Sequence, residues 1–152
     1  MTTVLRAMLL VLAGLWAGAV YGDPINTGPS GIALSGYDVT SYFGAAGPQP
    51  GSYSFQARHD GATYLFASAA NRARFLATPE RYLPAYGGHC SLGVTAGEML
   101  EVDPTAYRVV NGRLFLQLDH GTRMIWMLDE KANIAVADTM WPTVVTLSEL
   151  RD

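Results

Sequence analysis

The stretch GSYSFQARHDGATYLFASAANRARFLATPERY, Gly51 to Tyr82, sets the reading of the chain. Ser52 to Arg58 and Ala62 to Ala67 are runs rich in β-branched and aromatic residues with period-two alternation. Between them stands Asp60-Gly61, a pair that tolerates the positive φ a tight hairpin turn demands. The pattern predicts a β-hairpin, with His59 at its tip facing solvent. Ser68 follows the second strand in the place of an N-cap. Ala69 to Ala77 then fits a helix with Phe75 and Leu76 on its buried face and Arg72 and Arg74 in water.

Working outward, TAYRVVNGRLFLQL, Thr105 to Leu118, carries two apolar runs around Asn111-Gly112 and predicts a second hairpin. In HGTRMIWMLDEKANIAVADTMWP, His120 to Pro142, Ile125, Leu128, Ala132 and Ala135 recur at helical spacing, with breaks tolerable near Gly121 and Pro142. Upstream, Ile32 to Phe43 reads as a short helix or an irregular packed segment, closed off by the Gly- and Pro-rich Gly44 to Gly51. Asp23 to Ser30 is an extended lead-in. A further helix is expected to open at Gly87 to Cys90 and run towards Ala96. The sum is a small α+β domain of two β-hairpins and three to four short helices, and no internal repeat is visible in its residues.

The first 22 residues, MTTVLRAMLLVLAGLWAGAVYG, hold Arg6, an apolar run from Ala7 to Val20 and small residues at the run's end. This is the pattern of a signal peptide cut between Gly22 and Asp23, and the run is shorter than the roughly 20 apolar residues of a membrane span. An uncleaved anchor is the alternative. Cleavage takes 22 of 152 residues and leaves 130 for one domain, residues 23–152, in the periplasm or outside the cell. It removes Arg6 and no acid, so the net charge moves from −3 to −4. One lysine and singly scattered arginines exclude a phosphate-binding surface, and with it nucleic acid.

PAYGGHCSLGV, Pro84 to Val94, contains the single cysteine, which has no partner for a disulfide within the chain. Cys90 is open to three readings: a metal ligand with the adjacent His89, a thiol activated at a helix N-terminus for redox or nucleophilic chemistry, or a buried apolar side chain. Neighbours on a helix do not face each other, so His89 and Cys90 chelate one ion only on an irregular turn. A ligand cleft is expected around Tyr86, Gly87, Gly88 and His120, since the glycines admit close approach to the backbone and the aromatic ring supplies apolar area. His120 reads equally as a helix-end residue beside Asp119. Met124 and Met127, three apart, share a helix face, where core packing is the expected role and Cu(I) ligation the alternative. No haem-attachment, phosphate-loop, nucleophile-elbow or dinucleotide fingerprint is present.

With these elements placed, HDGATYLFASAANRARFLATPERYLPAYGGHCSLGV, residues 59–94, resembles the YHS family, a treble-clef-like, TRASH-like group of small metal-associated domains. The family pattern is a glycine turn, Tyr-x-Phe-Cys-Ser-x-x-Cys, a Phe and a Pro-x-x-Tyr. It is matched at Gly61, Tyr64, Phe66, Ser68, Phe75, Pro79 and Tyr82, and the likeness to exported members extends through GIALSGYDVTSYF and NIAVADTMWP. The resemblance implies a non-enzymatic domain that binds a metal ion, copper or another soft cation, or a small molecule, with a protein partner as a further reading. Where the pattern has its two cysteines, this chain has Ala67 and Asn71, neither of which offers a thiolate.

Overall fold

A computed structural model describes residues 24–150, so the leader read over residues 1–22 lies outside it. The chain forms β1 (Ser52–His59), β2 (Ala62–Phe66), α1 (Ala69–Ala77), α2 (Ser91–Thr95), β3 (Asp103–Val110), β4 (Arg113–Gln117), α3 (His120–Leu128) and α4 (Glu130–Glu149). The α+β class is as read. β1–β2 and β3–β4 are separate antiparallel hairpins. Their tips place Asp60 and Gly61 at φ 45° and 82°, and Asn111 and Gly112 at 51° and 78°. Those values are the reason the sequence puts Asp-Gly and Asn-Gly there. No helix among the described residues is long and apolar enough to cross a membrane.

A repeat that the residues hide is plain in the backbone. The strands begin at 52 and 62 in the first half and at 103 and 113 in the second, and the following helices at 69 and 120, each 51 positions on. Both hairpins are irregular at the same place, between Ser52 and Gln56 and between Asp103 and Tyr107. Both helices are capped by the side chain just before them, with Ser68 Oγ accepting from Asn71 N at 3.1 Å and Asp119 Oδ1 from Thr122 N at 2.7 Å. Even the loops ahead of the hairpins match, displaced by 52: Leu34, Ser35 and Gly36 have φ of 51°, 51° and 85°, and Tyr86, Gly87 and Gly88 have 55°, 60° and 83°. Sequence comparison misses the duplication because corresponding side chains, Phe66 and Gln117 for instance, have diverged while hydrogen bonding has not.

Two cores result. One gathers Val39, Tyr42, Tyr64, Phe66 and Phe75 with Leu114 and Leu116; the other gathers Tyr86, Val94, Phe115 and Trp126 with Ala137 and Val144 of α4. β4 is the wall between them, since alternate residues of a strand point to opposite faces.

Five expectations need correction. The helix expected from Gly87 opens only at Ser91, because three consecutive residues with positive φ cannot enter a right-handed turn. The helical face read through Ile125, Leu128, Ala132 and Ala135 is solvent-facing, because the chain breaks at Asp129 and the buried positions are Trp126, Ala137 and Val144. Leu76 is likewise exposed while Phe75 is sealed, and Met124 and Met127 stand in solvent instead of packing in the core. His59 packs edge-on against Phe75 with ring centroids 5.6 Å apart, its side chain mostly buried.

Candidate functional site

The left-handed loop at Tyr86 to Gly88 organises a concavity against α4. Gly87 has to be glycine twice over: its φ is +60°, and a Cβ would run into the Pro24 carbonyl. Residues 24–26 lie across the loop, with Asn26 N donating to Gly87 O at 2.8 Å and Asn26 Nδ2 to Gly88 O at 3.3 Å. Tyr86, which is not glycine, takes the same left-handed conformation at a cost of about 1–2 kcal/mol. Its ring is held 5.9 Å from Phe115 and 5.7 Å from Trp141. Its hydroxyl donates to Asp138 Oδ1 at 2.8 Å.

Asp138 in turn accepts two bonds from the Arg113 guanidinium, at 2.7 and 3.0 Å. Arg113 also lies 4.9 Å over the Phe115 ring. Strand β4 supplies the arginine and α4 supplies Asp138 and, one turn on, Trp141, so the network ties a strand to a helix across a cavity of about 420 Å3. Ile25, Tyr64, Leu83, Pro84 and Pro142 give this cavity apolar walls, and Asp60 stands on its edge. The volume is in the range of small-molecule sites. Burial, reinforced by the bond to Asp138, pushes the Tyr86 hydroxyl up, with Arg113 opposing. The hydrogen bonds from Arg113 hold the Asp138 carboxyl below its ordinary range, and those to Asp138 raise Arg113. Burial first, and then the Asp60 charge, push the Tyr64 hydroxyl up.

The residues singled out in the sequence are not gathered into one cleft. Tyr86 and Gly87 line this cavity, whereas Gly88 lines a second one of about 440 Å3 beside Gly36, Gly51 and Glu101. Pairs related by the repeat, Gly36 with Gly88 and Gly51 with Val102, line that second cavity together. His120 lines neither; it stands at the start of α3, with Nε2 3.2 Å from Thr105 Oγ1 and 4.0 Å from Asp103 Oδ2. His89 stacks on the Trp141 ring at 6.2 Å. Its Nδ1 is buried without a partner among the described residues, and burial lowers its pKa against the opposing pull of Glu101 and the Leu100 carbonyl.

Cys90 is sealed in the interior. Its Sγ accepts from Leu118 N at 3.3 Å and lies 3.6 Å from Gln117 Oε1, while its own N–H donates to Leu100 O at 3.1 Å. The first half explains this arrangement. At the position 52 residues earlier, fully buried Asp38 accepts from Ala67 N at 2.9 Å, and its N–H donates to Gln49 O at 2.8 Å. The two side chains do one job: each ties the exit of a second strand to the loop ahead of its hairpin. Asp38 does more of it, accepting also from Thr40 N, Thr40 Oγ1 and Asn71 Nδ2 at 2.9, 2.8 and 2.6 Å.

This geometry does not fit a soft cation. Ala67 and Asn71, at the places of the family cysteines, both turn N–H donors onto the Asp38 carboxylate, and donors repel a metal. Around Cys90 the neighbours are an amide side chain and a backbone N–H, and no group of three or more His, Cys, Asp or Glu with metal-holding geometry occurs among the described residues. Arg113, Tyr64 and Asp60 escaped the sequence reading of the cleft because they come from two hairpins that meet α4 only in three dimensions. The one available signal was Tyr86 before two glycines. Comparison with protein-family models, curated proteins and solved structures finds no match for this chain.

Proposed function

We propose that this is an exported domain of YHS type that binds, without transforming, a small organic cation with an apolar body in the 420 Å3 cavity between the Tyr86 loop and α4. The observation that carries the reading is the Tyr86–Asp138–Arg113 network, which stiffens one wall of the cavity. Leu34, the equivalent residue of the first half, takes the same left-handed conformation, so that backbone belongs to the fold, whereas the network, which a leucine side chain cannot make, is particular to this loop.

Charge selects the ligand class. Arg113 and Asp138 neutralise each other, which leaves the Asp60 carboxylate, whose Oδ2 also lies 3.2 Å from His59 Nε2, as the remaining acidic group on a cavity lined by Tyr64, Tyr86 and Trp141. A carboxylate among aromatic faces favours an ammonium head on an apolar body. Binding is favoured over catalysis because the polar groups of the cavity wall are engaged with one another, the Tyr86 hydroxyl donating to Asp138 and Asp138 accepting twice from Arg113. A thiol-dependent redox activity is disfavoured by the sealing of Cys90. Copper, the ligand the family resemblance implies, is not carried forward because the donors do not fit it.

The test is an NMR titration of the protein with benzylamine, benzyl alcohol and phenylacetate, read at the Trp141 indole and Gly87 amide. Benzylamine is expected to give saturable shifts, to bind more tightly than either isostere, and to lose affinity several-fold in Asp60→Asn. No shift with any of the three would remove the binding reading, and preference for phenylacetate would overturn the cation assignment alone.

A further inference from the structure

The repeat provides an internal control for what the fold requires. α1 and α3 are equivalent helices, each with one fully buried aromatic residue, Phe75 in the first and Trp126 in the second. The solvent-facing positions of α1 around Phe75 are Ala73, Arg74, Leu76 and Ala77; their counterparts in α3 are Met124, Ile125, Met127 and Leu128. These four are 67%, 56%, 43% and 85% exposed. Folding does not demand large apolar residues at three of the four, because the same unit folds with Ala73, Arg74 and Ala77 in the first half; Met127 alone has an apolar counterpart, the exposed Leu76. At 3.6 residues per turn the four positions cover one continuous side of α3, opposite Trp126. Their exposed area is roughly 500 Å2, within the range of the largest apolar patch on a typical monomer, which is often functional.

We propose that this side of α3 is a self-association surface, through which two copies of the chain pair about a two-fold axis. None of the four side chains is charged, so laying the patch on its own copy opposes no like charges. Two such patches bury about 1,000 Å2 together, which reaches the lower bound for a specific interface and makes the dimer weak and reversible. The two methionines adapt to a partner that is only approximately complementary. A bilayer is a poorer occupant. Carboxylates stand at both ends of the helix, at the caps Asp119 and Asp129, and the one arginine within it, Arg123, is partly buried, which leaves Lys131 beyond the C-terminal cap as the single exposed lysine near a face that an interfacial helix would flank with several.

The experiment is sedimentation velocity on the protein from about 1 to 500 µM, a span that covers micromolar dissociation constants. It compares the wild type with Met124→Ala/Ile125→Arg/Leu128→Ala, which installs the residues of the first half. The wild type is expected to shift from one-copy to two-copy mass with concentration, and the triple variant to stay monomeric with an unchanged circular dichroism spectrum and urea midpoint. Leu128→Glu alone is expected to weaken the dimer at least tenfold and serves as the readout if the triple variant fails to fold. A monomeric wild type across the range, or a variant that dimerises equally well, overturns the proposal. So does a wild type that stays monomeric while co-sedimenting with phosphatidylcholine vesicles through the same residues.

Discussion

At the scale of single residues, Cys90 takes its meaning from Asp38. Both accept the N–H that leaves a second strand, one with sulfur and the other with a carboxylate. Cys90 is expected to react with a thiol reagent only at the rate of unfolding. Cys90→Ser keeps an acceptor for Leu118 N, whereas Cys90→Ala takes the acceptor from that part-buried N–H at about 1 kcal/mol, so the serine variant is expected to be the more stable of the two in urea. Asp38→Ala orphans several donors at once and is expected to cost more than about 3 kcal/mol or to abolish folding. Gly112→Ala, which meets open space, is expected to cost about 1–2 kcal/mol, and Gly87→Ala distinctly more, because it adds the collision with Pro24 to the same left-handed strain. His89 is favoured neutral in the fold, so the stability it contributes is present above its unfolded pKa of about 6.5 and is lost as pH falls below that value. Acidification from pH 7.5 to 5.5 is therefore expected to lower the urea midpoint of the wild type more than that of His89→Gln.

Among elements, the link that matters is β4 to α4 through Arg113 and Asp138. The Asp138 carboxyl is depressed in the fold, so the contribution of the pair is complete above the ordinary carboxylate pKa near 4 and disappears as pH drops through the folded value. The difference in urea midpoint between wild type and Asp138→Asn is accordingly expected to be clear at pH 7 and to shrink progressively once the pH falls below about 4. Both groups are substantially exposed, so the difference at pH 7 is modest. The equivalent caps of α1 and α3 are expected to behave alike, Ser68→Ala and Asp119→Ala each costing about 1 kcal/mol in a denaturation curve.

For the whole molecule, the duplicated units do not amount to separable domains. Leu114 and Leu116 of the second hairpin complete the first core while Phe115 between them completes the second. One cooperative unfolding transition is expected, with tryptophan fluorescence, which reports the second core, coinciding with far-ultraviolet circular dichroism, which reports both. Two resolved transitions would show that the shared strand does not couple the halves.

Local chemistry by itself determined the hairpins, their Asp-Gly and Asn-Gly turns, the capped helix at Ala69–Ala77 and the α+β class, because each depends on residues a few positions apart. It also marked Tyr86-Gly87-Gly88 as unusual. Only the tertiary structure decided which faces of α3 and α4 are buried, since a nearly continuous apolar run such as Met124 to Leu128 offers several helical stripes and the neighbouring strands choose one. It alone brought Arg113 to Asp138 and set Cys90 in the place of Asp38. Those relations join residues 25 and 52 positions apart, the first through a side-chain ion pair that no local pattern announces and the second through equivalent backbone donors, Ala67 N and Leu118 N, whose acceptors differ.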